Sequence, residues 1–174
     1  MIWTVHTSTG PVTVREQLEP DDEPAVLALF AECADWFEAT TGLPSGPGDV
    51  QSLFYALPDG ASLEDKRLYL VLVADRVIGL VDVVLRYPDV RSAAIGAFLI
   101  APSFRRQGVA TAVAVELGDQ AWSLGFERIT ATVAADVEAG RAFAGALGAD
   151  VSPEPIRPGI YRAELTLPID GTAG

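Results

Sequence analysis

Along the chain, apolar positions recur with two periods. Val12 to Leu18 alternates as a strand, and Leu68 to Ala74, Val77 to Arg86 and Ala93 to Ala101 read as three more, the first two of these joined antiparallel at Asp75-Arg76. Ile129 to Val133 predicts a short strand and Tyr161 to Leu167 an alternating final one. Helical spacing takes over elsewhere. Val26, Leu29, Phe30, Cys33 and Phe37 form one stripe, predicting a helix that starts after Glu19-Pro20-Asp21-Asp22 and runs toward Thr40. Asp49 is placed to cap a second helix through Leu57, which Pro58-Asp59-Gly60 stops. Val109, Val113, Leu117 and Ala121 mark a third helix ending at Gly125, and Val137 to Leu147 a last one closed by Gly148.

Helices and strands therefore interleave, with a meander of strands before the third helix. With 174 residues, 49% of them hydrophobic, the chain suits one domain, 1–174, with a substantial core. Lys and Arg total 12 against 24 Asp and Glu, a formal charge of −12 that disfavours a nucleic-acid partner and attracts cations. A single Cys33 and a single His6 make neither a disulfide framework nor a Cys/His metal site, so no metal is expected. Cys33 lies on the apolar stripe and reads as a small buried hydrophobe. No signal peptide and no membrane-spanning run is evident, which predicts a cytoplasmic protein without a membrane partner.

The most informative stretch is Ile95 to Ala112, where a buried strand passes through Pro102 into Arg105-Arg106-Gln107-Gly108-Val109-Ala110 and opens a helix. The first turn of a helix holds amides without intrahelical acceptors and the positive end of the macrodipole, so an anion placed there meets backbone donors. Gly108 lets the backbone approach closely, and Arg105 and Arg106 add positive charge. Neither Gly-Lys-Ser/Thr after a glycine-rich loop nor Gly-x-Gly-x-x-Gly occurs, which disfavours a nucleotide triphosphatase or a Rossmann dehydrogenase.

A second candidate comes from strand alternation. Asp82 shares a strand face with Leu80 and Val84 and sits between Val81 and Val83, and a lone carboxylate on an apolar face is costly unless it is paired or used. Glu38, beside Trp36 and Phe37 at the end of the first helix, is a second acid that could meet a cationic ligand.

Arg105-x-x-Gly108-x-Ala110 resembles the acetyl-CoA signature of the GNAT N-acetyltransferase superfamily, (Gln/Arg)-x-x-Gly-x-(Gly/Ala), in the place that family puts it. Gly79-Leu80-x-Asp82, Trp36-Phe37-Glu38-x-x-Thr41-Gly42 and the segment Val133 to Gly148 extend the resemblance over nearly the whole chain. It implies an α/β fold, a mixed and mostly antiparallel central sheet flanked by helices, and transfer of an acetyl group from acetyl-CoA to a primary amine of a small molecule or peptide by direct attack. The amides of Arg106, Gln107, Gly108, Val109 and Ala110, with Arg105 and Thr111 beside them, would hold the pyrophosphate. Leu99 and Ile100 would bond the pantetheine arm where the fourth and fifth strands part, an opening that Pro102 would assist. Asp82 and Glu38 are then the catalytic candidates. The likeness departs at one place: Ala144 stands where the family's tyrosine acid is usual, with Val137 for asparagine and Gly140 for alanine. A non-catalytic acyl-CoA-binding or regulatory protein of this fold is therefore the alternative, and a homodimer is compatible with either reading.

Overall fold

A computed structural model describes residues 1–16 and 18–170. One eight-stranded sheet organises them, in the spatial order β1-β2-β3-β4-β5-β6-β8-β7. Its strands are β1 (Ile2–Thr7), β2 (Gly10–Glu16), β3 (Lys66–Val73), β4 (Arg76–Leu85), β5 (Ser92–Ile100), β6 (Arg128–Ala134), β7 (Asp150–Val151) and β8 (Ile160–Thr166). All neighbours are antiparallel except β5 and β6. The helices are α1 (Glu23–Glu32), α2 (Ala34–Thr41), α3 (Pro47–Tyr55), α4 (Val109–Ser123) and α5 (Glu138–Ala146). This is the mixed, mostly antiparallel α/β architecture that the family resemblance implied.

Local chemistry explains the turns. The β3–β4 hairpin turns on Ala74 and Asp75, both at positive φ (46° and 66°), the geometry whose twist matches that of the flanking strands. Asp49 lies inside the first turn of α3, and its carboxylate accepts from the Gly46 amide at 2.6 Å, satisfying a donor at the helix start. β1 is a strand that the sequence reading did not assign, although Trp3 and Val5 alternate inward from it and Thr7 to Gly10 make its hairpin to β2. The expected single helix to Thr40 is two. Cys33 leaves helical geometry (φ −95°, ψ 31°), its amide shared between Leu29 and Phe30 carbonyls at 3.0 and 3.1 Å. The break keeps the apolar stripe turned inward, with the Phe30 and Phe37 rings 4.8 Å apart.

Helices cover both sheet faces. On one, Val26, Leu29 and Phe30 of α1 with Phe37 and Val50 pack on Leu70, Leu80 and Leu99. On the other, Val109 and Val113 of α4 pack on Val14, Val71, Ile78, Val81 and Ile100. Each of these side chains contributes roughly 1.5–3 kcal/mol by leaving water. α5 lies over β6 and β7 on the α4 side, where Leu147 joins a third cluster around Phe126, Leu165 and Ile169.

Candidate active site

Two strands separate at the middle of the sheet. The parallel ladder between β5 and β6 runs only from Ser92–Arg128 to Ile95–Ala131, yet β5 continues to Ile100 paired with β4 alone. The parting starts at Gly96, the extra residue of a bulge where the β4 register shifts between Asp82 and Val83, well before Pro102, which was expected to assist it.

Alternation decides which backbone groups face the opening. The Ala101 amide donates to Ile78 at 2.8 Å, so Ala101, Leu99 and Ala97 point their polar groups at β4, and those of Ile100 and Phe98 point into the gap. Leu99, expected to present its backbone there, is thus engaged by Leu80, and Phe98 takes its place. The Ile100 carbonyl already accepts from Arg105 Nε at 2.8 Å and from Cys33 Sγ at 3.6 Å, leaving its amide to the gap.

Past the opening, β5 ends in a turn that starts α4. Arg106 and Gly108 both adopt left-handed backbone (φ 60° and 77°), which fans successive N–H groups toward one side. Among the described residues no acceptor engages the amides of Arg106, Gln107, Gly108, Val109, Ala110 or Thr111, and the first helical bond is Ala112 N–H to the Gly108 carbonyl at 3.0 Å. The two arginines divide the work. Arg105 forks onto Asp35 of α2 (Nη1 at 2.6 Å, Nη2 at 3.1 Å), and that hydrogen-bonded guanidinium holds the Asp35 carboxyl below its usual range. Its charge is therefore used to tie α2 to the turn. Arg106 is exposed with no ion-pair partner among the described residues, and Gln107 Nε2 braces the turn by donating to the Ser103 carbonyl at 2.8 Å.

A cavity of about 450 Å³ occupies the gap, walled by Phe98, by Val133 and Val137 and by Phe143 and Ala144 of α5, and reaching Trp36 and Thr40 of α2 through the sheet. Behind its Gly96 wall lies Asp82. A Cβ at Gly96 would sit 2.7 Å from Asp82 Oδ2, so only glycine leaves room for the carboxylate at the bulge. Asp82 is 6% exposed; Lys66 Nζ donates to its Oδ2 at 3.0 Å and to the Ala56 carbonyl at 2.7 Å, while Oδ1 is buried with no partner. Burial pushes the Asp82 carboxyl above its usual range, and Lys66 partly offsets that. Lys66 escaped the sequence reading, though it precedes Leu68 and Leu70 at strand alternation and so shares their face. Glu38 is apart from this group, exposed on α2 at a shallow cleft with Asp35, Asp136 and Glu138.

Strand parting, amide turn and buried carboxylate coincide with a match over residues 30–149 to the model of the GNAT acetyltransferase family. The chain belongs to that family. Solved GNAT structures share its fold over most of its length. An acetyltransferase from Thermus thermophilus superposes with a TM-score of 0.72 at 19% identity, covering 95% of this chain and 100% of that one. The GNAT domain of S. lividans PAT gives 0.74 at 18% identity, covering 95% and 97%. The ribosomal-protein-S18-alanine N-acetyltransferase of Escherichia coli gives 0.64 at 16%, covering 92% and 97%. No curated protein matches the chain. In this GNAT, Val137, Gly140 and Ala144, the three expected departures from the family pattern, all line the cavity, on α5 and the residue before it. Tyr69, at the other end of the cavity, is the one tyrosine on its wall among the described residues.

Proposed function

We propose that the protein transfers an acetyl group from acetyl-CoA to a primary amine of a small molecule or peptide, by direct attack and without an enzyme-bound intermediate. The observation that carries this reading is the parting of β5 from β6 after Ile95 together with the unpaired amides of Arg106 to Thr111 in the turn that follows β5. Those donors suit a pyrophosphate, and the Phe98 and Ile100 backbone suits the amides of a pantetheine arm. The amine attacks the thioester carbon, the carbon–sulfur bond breaks, and the thiolate leaves. An acceptor near pKa 10.4 must first lose a proton. Asp82 is the candidate acceptor of that proton, directly or through water. Burial makes it a stronger base than an exposed carboxylate, and the Lys66 ammonium favours its ionised form. Glu38 lies at the acidic cleft beside α2, suited to drawing in a cationic acceptor rather than to the chemistry. The charge of −12 supports an acceptor that is not nucleic acid. No helix of the described residues is long and apolar enough to cross a membrane, and a cytoplasmic setting is part of this proposal.

Coenzyme A release across a panel of polyamines, aminoglycosides, amino acids and peptides tests the reading. Release with at least one amine is expected. Tight acyl-CoA binding with no release on any would favour the non-catalytic alternative, which the alanine at position 144 already suggests.

Two variants probe the proton transfers. Because a base is lost as pH falls through its pKa, wild-type kcat/KM is expected to drop on an acid limb lying above the ordinary carboxylate range. Asp82→Asn is expected to remove that limb and to lower kcat by about a hundredfold. A limb that persists in Asp82→Asn would assign it to another group. Ala144→Tyr places a phenol on the cavity wall, and kcat is expected to rise about tenfold if protonation of the leaving thiolate limits the rate. A rise in KM for acetyl-CoA with kcat unchanged would mean that the ring obstructs the arm instead.

A further inference from the structure

The cavity is larger than an acetyl group requires, and its chemistry names what else it takes. From Gly96 and Phe98 it continues on the α4 side of the sheet, along Val81 and Val83 and beneath Leu117 and Ala121, to Trp3 and Tyr69. Protein interiors are close-packed, and an apolar space of about 450 Å³ forfeits both contacts and burial unless something enters it. Ala93, Ala114 and Ala121 on its walls leave it open, where larger side chains would close it. Among the described residues its charged lining is Glu16 and Arg67 alone, which pair with each other at 3.2 Å at the outer end beside Trp3. Tyr69, its pKa pushed up to about 12 by burial and the nearby Glu16, keeps a neutral hydroxyl. A cationic acceptor amine would find no partner along the middle of this channel and would be penalised there. A hydrocarbon chain would not.

We infer that this channel holds the acyl chain of the donor, so that the protein accepts acyl-CoA thioesters of medium length and not acetyl-CoA alone. The inference rests on the acyl-CoA reading above, because the chain reaches the channel only if the thioester enters the gap at Gly96. The reaction balances as before: the amine nitrogen bonds to the acyl carbon, the carbon–sulfur bond breaks, coenzyme A takes the electron pair, and the amine proton passes to the base. Only the length of the transferred group changes.

Calorimetric titration of the whole chain with coenzyme A and with acetyl-, butyryl-, hexanoyl- and octanoyl-CoA tests this. Each methylene that enters an apolar wall gains about fourfold in affinity, so hexanoyl-CoA is expected to bind on the order of a hundredfold more tightly than acetyl-CoA. Val83→Phe and Ala121→Phe fill the channel from opposite walls, and in each folded variant the ratio of hexanoyl to acetyl affinity is expected to fall toward one. A series in which coenzyme A binds but chain length changes nothing overturns the inference and leaves the acetyl reading standing. Failure of coenzyme A itself to bind overturns both. If n-alkylamine acceptors gain with chain length while the acyl-CoA series stays flat, the channel belongs to the acceptor and the inference is again wrong.

Discussion

Replacing Gly108 by valine is expected to weaken coenzyme A binding about a hundredfold while leaving the protein folded. The backbone there has φ 77°, a conformation that a β-branched residue adopts only with strain of roughly 1–2 kcal/mol. Nothing lies within 4 Å of where a Cβ would stand, so the free protein meets that strain without a clash, and the melting temperature is expected to fall only a few degrees. The loss at the anion is larger for two reasons. Relaxing the turn would swing the amides of Arg106 to Thr111 out of convergence, and the new side chain would stand in the open space before them. Gly108→Asn separates these effects, because asparagine tolerates left-handed backbone but still adds bulk. Asparagine binding like glycine would assign the effect to conformation, and asparagine binding like valine would assign it to steric approach. Unchanged coenzyme A affinity in folded Gly108→Val would refute the assignment of this turn as the pyrophosphate site.

What could be read from the sequence was local. Strand alternation in β3, β4 and β5 and the four-residue recurrence in α4 depend on neighbours a few positions away, as does the Arg105 to Ala110 turn, so these elements and the turn's unpaired amides were visible there. The features that turn a fold into a site depend on partners far along the chain. Arg105 reads locally as a phosphate ligand, yet its guanidinium forks onto Asp35 of α2, seventy residues earlier in the chain. Asp82 reads as an isolated acid until Lys66 of the neighbouring strand reaches it. Pro102 is a strong local signal and was expected to assist the strand gap, whereas the bulge at Gly96 that coincides with the gap shows only as a change of register between two strands. Leu99 and Ile100 could not both present their backbone to the gap, because adjacent strand residues turn those groups to opposite sides, and Phe98 is the residue in phase with Ile100. β1 went unassigned because its alternation is short and polar on one face, and the break at Cys33 leaves the apolar stripe intact.

Lys66→Met is expected to cost about 3–5 kcal/mol of folding stability, because it would strand the buried Asp82 carboxylate without its ammonium partner. Both side chains are nearly inaccessible, at 5% and 9% exposure, so water cannot take the lost partner's place without opening the structure. The cost should depend on pH with a definite sign. Asp82 titrates above its usual range when folded, so its favourable contribution is complete below about pH 3.9 and declines as pH rises through the folded value. Removing Lys66 raises that folded value further. The penalty of Lys66→Met relative to wild type is therefore expected to be greatest near neutrality and to shrink in acid, where Asp82 takes up a proton. Denaturant unfolding at several pH values measures it, and a penalty under about 1 kcal/mol at neutral pH would show that the pair is solvated in the working protein. Lys66→Met combined with Asp82→Leu removes both charges, and it is expected to recover most of the lost stability, since apolar replacements of a buried pair are often neutral. That double variant then separates stability from chemistry. If it folds as firmly as wild type but releases coenzyme A no faster than Asp82→Asn, the ion pair is kept for the reaction, with Lys66 maintaining the base in its ionised form; if it retains wild-type turnover, the pair is structural and the proton leaves the amine by another route.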